Sequence, residues 1–97
     1  MDVVELAKEL IDIHSETLKD GEVNVAKYLV DFLEDLGFSP ELIRFGSNNA
    51  NVVASTGSGE GLMLNGHMDT VPWGDPSLWT HGVSAAIVGD KLYGRGA

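Results

Sequence analysis

A single-domain α/β fold is what this sequence predicts. Two amphipathic helical stretches fill its first third, short apolar runs between Gly, Asn, Ser and Pro follow, and no tract repeats. At 97 residues, with 43% hydrophobic and 22% charged, the composition is that of a folded chain rather than a disordered one. One core is expected, burying roughly two thirds of the unfolded chain's surface. Residues 1–97 should form one unit with no second domain, its two helices packed on a mixed β-sheet.

Val3, Leu6, Ala7, Leu10, Ile11 and His14 recur at helical spacing, with Asp2, Glu5, Lys8, Glu9 and Asp12 on the opposite face. Asp2 is placed to cap this first helix, and Glu5 stands three residues later in capping-box spacing. Residues 15–21 read as a polar connection. A second helix is predicted from Gly21 or Glu22, burying Val25, Leu29, Phe32, Leu33 and Leu36 and stopping at Gly37. Strands are predicted at 42–45, 51–55, 62–64, 85–88 and 91–93. Residues 56–61, with three glycines, read as a hairpin connection, and Gly89-Asp90 as a two-residue hairpin turn. Between His67 and Gly82 lies a long irregular segment holding Trp73 and Trp79; loops of that length are usually functional or disordered, and two tryptophans favour the first.

The net charge of −9 repels phosphate backbones and anionic lipid, which argues against nucleic-acid and membrane-surface roles. Most of the excess falls in residues 1–48, with four basic and eleven acidic groups, and is read as the solvated faces of helices. The absence of cysteine excludes disulfides, Cys-ligated zinc and thiol nucleophiles, and fits a reducing compartment. The N-terminus Met1-Asp2-Val3-Val4-Glu5 lacks a basic leader, and no apolar stretch has the length of a membrane span. A cytoplasmic protein is expected.

The sharpest chemical feature is Asn65-Gly66-His67-Met68-Asp69-Thr70-Val71-Pro72, directly after Leu62-Met63-Leu64. In an extended backbone, His67 and Asp69 point to the same side. The Asp69 carboxylate can then receive one imidazole N–H, fixing the tautomer and leaving the other nitrogen for a metal. On spacing alone, a His-x-Asp at a strand end is more often a hydrogen-bonded structural pair than a metal site.

The wider context reverses that balance. Gly66-His67-Met68-Asp69-Thr70-Val71-Pro72, then Trp79, then Gly89-Asp90-Lys91-Leu92-Tyr93-Gly94-Arg95-Gly96-Ala97 resembles a family of zinc-dependent amidohydrolases and exopeptidases. That family includes acetylornithine deacetylase, succinyl-diaminopimelate desuccinylase, aminoacylase and the glutamate-releasing carboxypeptidases. Residues 5–15 resemble its opening helix and Ser-containing turn, 25–38 its second helix, and 51–54 its first central strand. The resemblance implies that His67 is a zinc ligand and Asp69 the acidic partner in the catalytic site that orients it.

It further implies zinc-assisted hydrolysis of amide bonds in N-acyl amino acids or small peptides. Two zinc ions would acidify a water and polarise the scissile carbonyl. The family's remaining ligands and its general base come after its Gly-Arg-Gly-Ala motif, so the chain is expected to be the N-terminal part of a three-layer catalytic domain. Zinc should bind weakly or not at all to one imidazole, and the isolated chain should be catalytically silent. One local departure is His81-Gly82-Val83, where the family has an apolar Pro-Phe pair.

Other residues have plainer readings. His14 should sit on the apolar face of the first helix, near its end. His81 reads as packing or surface, residues 57–61 as a turn rather than a phosphate cradle, and Asp75 and Asp90 as turn formers. Trp73 and Trp79 either line a pocket or cover the sheet edge. Arg95 either clamps a substrate carboxylate or makes a structural salt bridge.

Two rival functions are a non-catalytic interaction module and a complementing half of a split enzyme. With helices for only one face of a sheet, the chain should leave an apolar face or edge open and self-associate through it.

Overall fold

The computed structural model describes residues 1–97. Helices α1 (Val3–Asp12) and α2 (Val23–Asp35) precede strands β1 (Glu41–Phe45), β2 (Asn49–Val53), β3 (Ala86–Val88) and β4 (Lys91–Tyr93), with one 3₁₀ turn at Pro76–Leu78. The α1 start is the expected capping box: Asp2 accepts from the Glu5 N–H at 2.9 Å, and Glu5 accepts from the Asp2 N–H at 3.1 Å. Gly37 ends α2 at φ +91°, with the Phe38 N–H on the Leu33 carbonyl and the Gly37 N–H on the Glu34 carbonyl. That pair of bonds is a Schellman motif, and only a residue free to take positive φ closes it cheaply.

β1 and β2 form an antiparallel hairpin closed by residues 46–48, and α2 lies across one face of it. The opposed pair Leu42 and Val52 turns toward α2, where Val23, Ala26 and Ala50 make the buried core. Ile43, Phe45 and Val53 stay 41%, 50% and 47% exposed. By the alternation of a strand, Ile43 and Phe45 line the other face of the hairpin. The start of α2 is tied to the hairpin loop through Glu22, whose carboxylate accepts from Asn49 Nδ2 at 3.0 Å and from the Ala50 N–H at 3.2 Å. The Val23 N–H meanwhile donates to the Asn48 carbonyl at 3.1 Å.

β3 and β4 make a second antiparallel hairpin that turns on Gly89 and Asp90 as expected. Gly89 alone has positive φ there, the pattern of a type II′ turn. This hairpin, rather than the first, receives α1: Asp12 Oδ1 accepts from the Ala85 N–H at 2.7 Å, and the Ile11 side chain lies against Gly94. The two helices touch where the Tyr28 hydroxyl donates to the Glu9 carboxylate, a bond that raises the Tyr28 pKa above its ordinary value.

The class is mixed α/β, but a single mixed sheet does not form; there are two separate two-stranded antiparallel sheets. Leu62, Met63 and Leu64, expected as a strand, have no ladder partner, and a strand exists only through its pairing. Residues 56–61 accordingly close no hairpin, since β2 pairs backward with β1 rather than forward. The only parallel pairing is an isolated bridge between Glu16 and Thr70. His14 lies beyond α1, because Ile13 has already turned extended at ψ 117°.

The chain is more open than its length predicts. Its accessible surface is 7063 Å², against ~5,400 Å² for a closed monomer of this mass. Its radius of gyration is 15.1 Å, where about 12.5 Å is usual. About half of the extended-chain surface is therefore buried, rather than two thirds. No helix is long and apolar enough to cross a membrane.

Asp75 forms a turn as read, capping the 3₁₀ segment by accepting from the Ser77 N–H at 2.9 Å and the Ser77 hydroxyl at 2.8 Å. Those bonds hold its pKa below the ordinary carboxylate value. The cap's contribution is thus fully present above that ordinary value and is lost as pH falls through the lowered one. The Ser77 amide should lose its exchange protection over that acidic window, and in Asp75→Ala it should be unprotected at every pH.

Candidate metal-ligand site

The segment carrying His67 has no regular structure up to the bridge at Thr70, and Met68 anchors it by packing against the core of Val23, Ala26 and Ala50. The side chains on either side of it, His67 and Asp69, are open to solvent. The His67 side chain is 86% exposed, and its Nδ1 lies 2.9 Å from the Asp69 backbone carbonyl and 3.1 Å from Asp69 Oδ1. Both neighbours of Nδ1 are acceptors when Asp69 is ionised, so Nδ1 carries the proton. Nε2 is left with a lone pair directed outward.

The second Asp69 oxygen is also held. Thr17, in the turn after α1, places its hydroxyl 2.8 Å from Asp69 Oδ2. That bond first, and the His67 contact after it, keep the Asp69 carboxyl below its ordinary pKa. The two segments are stitched by backbone bonds, Thr17 N–H to the Thr70 carbonyl and Thr70 N–H to the Ser15 carbonyl, both 2.9 Å. The Thr70 hydroxyl, by contrast, is buried without a partner.

The structure thus brings His67 and Asp69 together as the sequence reading required, and adds Thr17 and Met68, which that reading missed. Thr17 stands 52 positions from Asp69, and no local periodicity signals a bridge between loops. Met68 could have been found, because the extended reading that puts His67 and Asp69 on one side puts the residue between them on the other. Beside Asp69 opens a polar cleft of about 380 Å³, bordered by Thr17, Lys19, Glu22, Asn48 and Asn49.

The other candidates sit apart from this pair. Trp73 and Trp79 line an aromatic pocket of about 590 Å³ with Tyr93 and His81, whose ring packs 4.2 Å from that of Tyr93. Arg95 is 7% exposed and neither reaches a carboxylate nor opens to a ligand. Its guanidinium lies 4.5 Å from the centre of the Trp73 ring and donates to the Val71 carbonyl at 3.1 Å. No three His, Asp or Glu side chains gather into a group able to hold a metal. The donor set fits one vertex of a zinc site, an exposed imidazole with a fixed tautomer, and not a complete one.

Comparison with known proteins places the sequence. It is 33% identical over 95 residues to a probable succinyl-diaminopimelate desuccinylase of Staphylococcus aureus, covering 96% of this chain and 23% of that protein. The corresponding protein of Staphylococcus epidermidis is 34% identical over 97 residues. An acetylornithine deacetylase of Vibrio cholerae is 40% identical over 79 residues, covering 79% of this chain and 21% of that enzyme. Along nearly its whole length the chain is similar to proteins of the desuccinylase and deacetylase family. It spans about a quarter of the length of these family members. No family model matches the sequence.

Proposed function

We propose that this chain contributes a zinc ligand, His67, and its orienting carboxylate, Asp69, to a hydrolase of amide bonds in N-acyl amino acids or small peptides. The supporting observation is the ring geometry: Nδ1 is committed to Asp69, and Nε2 faces solvent. A zinc ion, when bound, supplies Lewis-acid polarisation of a carbonyl. Asp69 fixes the tautomer, and Met68 fixes the direction in which the ring leaves the core. In the family's three-layer domain these elements would form one part. With a single imidazole donor, the 97-residue chain holds zinc weakly and does not turn over substrate.

Zinc titration of the chain, followed by NMR of the imidazoles, should perturb His67 before His14 or His81. His67→Ala should remove the site, and Asp69→Ala should weaken it by about 10-fold or more. Equal response of all three histidines would refute the ligand assignment. No hydrolysis of N-succinyl or N-acetyl amino acids is expected from the purified chain. Zinc-dependent turnover abolished by His67→Ala would overturn its silence.

A second reading, association through an open apolar surface, has its own support. Leu62, Met63 and Leu64 are 89%, 84% and 88% exposed in one unpaired run, and such runs invite strand pairing. Sedimentation velocity should therefore show self-association that Met63→Lys shifts toward monomer. A wild-type monomer at every concentration would refute it.

A further inference from the structure

We propose that Thr17 is a positioning residue for His67, acting through the Asp69 carboxylate to reinforce the Nδ1–H form that the nearer Asp69 backbone carbonyl also favours. The inference rests on the reading of His67 as the ligand, and it concerns how that ligand is prepared. A carboxylate linked to the chain through single bonds can turn about its side-chain torsions. Bound only to His67, Asp69 would be free to present either oxygen or to swing toward solvent. Thr17 removes that freedom by holding Oδ2 at 2.8 Å, while Oδ1 faces His67 Nδ1 at 3.1 Å.

The hydroxyl has one proton and two acceptors within reach, Asp69 Oδ2 and the Thr70 carbonyl at 3.1 Å. The carboxylate is closer and charged, so the proton goes to it, because charge-assisted bonds are the stronger ones. Asp69 has no proton to give, so the polarity of the relay is fixed from Thr17 to Asp69 and from His67 to Asp69.

The turn that presents Thr17 is built at a cost. Leu18, the next residue, sits at φ +63° with its side chain wholly exposed, and no other non-glycine residue in the chain has positive φ. A leucine gains nothing there from burial, and left-handed backbone is strained for any side chain with a Cβ. The conformation is imposed by the Lys19 and Gly21 N–H groups, both on the Glu16 carbonyl, and by Asp20 accepting from the Glu16 N–H. Backbone strain concentrated beside a long-range side-chain bond is the pattern of a segment held for what it presents.

The test is the tautomer of His67, read from the two ring nitrogen shifts of the 97-residue chain at about pH 8, above the ordinary imidazole value. The wild type should be mainly Nδ1–H. Thr17→Val should lower the Nδ1–H to Nε2–H ratio by about twofold to tenfold, the range that one hydrogen bond's net contribution implies. Thr17→Ser should restore the ratio, and Thr70→Val, which removes an unpartnered hydroxyl next door, should leave it unchanged. An unchanged ratio in a folded Thr17→Val chain overturns the proposal, as does an equal change in Thr70→Val. Should Thr17→Val not fold, three-bond couplings in the wild type decide: one Thr17 χ1 rotamer supports the proposal, and averaging over rotamers overturns it. Zinc titration of the same samples separates the two readings. A tautomer that responds while zinc ignores His67 keeps the Thr17 relay and defeats the ligand reading; the reverse result does the opposite.

Discussion

Gly21→Ala is expected to destabilise the fold by about 3 kcal/mol, and to do so where the site turn meets the core. Gly21 has φ +63°, which alone costs an alanine about 1–2 kcal/mol. The larger part is steric. An added Cβ would overlap the Asn48 carbonyl oxygen and stand 2.8 Å from Asn48 Cβ. Neither is the tip of a flexible side chain, so the hairpin loop itself must move. That loop is held by the Val23 N–H on the Asn48 carbonyl and by Glu22 on Asn49 and Ala50, so retreat breaks bonds that start α2. Urea unfolding followed by circular dichroism would measure the loss. Gly57→Ala, at φ +76° but with nothing near the added carbon, should show only the backbone penalty. A Gly21→Ala chain as stable as Gly57→Ala would remove the close approach from the account of this fold.

Gly21 also shows where sequence reading stops. It was legible as the boundary between a polar connection and a helix, because glycine punctuates chains. Its contact with Asn48 was not, since that contact depends on how a hairpin packs against a helix. The same division runs through the chain. The α1 capping box, the Gly37 stop and the Gly89-Asp90 turn are local devices, and each is found where its residues stand. Residues 62–64 have no partner in the chain; pairing there is expected from an apolar run between turn residues, which signals burial but not against what. In the candidate site, the His67–Asp69 contact spans two residues, whereas Thr17 arrives through a bridge between distant loops.

Trp73→Ala is expected to cost about 3 kcal/mol, more than its half-buried state alone would suggest. Trp73 joins two side chains from distant parts of the chain: the His14 ring meets it edge-on at 5.0 Å, and the Arg95 guanidinium covers its face at 4.5 Å. Arg95 is nearly buried and makes no ion pair, so the ring face is its principal electrostatic partner besides the Val71 carbonyl. Removing the ring strips a buried cation of that partner, which costs more than the lost apolar area. The sequence alternatives for Arg95, a substrate clamp or a salt bridge, both assumed a carboxylate. In a chain of net charge −9 its actual partner is an aromatic ring. Trp73→Phe, which keeps a ring face, should cost about 1 kcal/mol, and Arg95→Met in the Trp73→Ala background should cost less than alone. Additive losses in that double-mutant cycle would mean that the ring and the cation do not support each other. Because Arg95 grips Val71, two residues beyond Asp69, Trp73→Ala should also loosen the segment that carries His67. Faster amide exchange at Thr70 than in Trp73→Phe would report it.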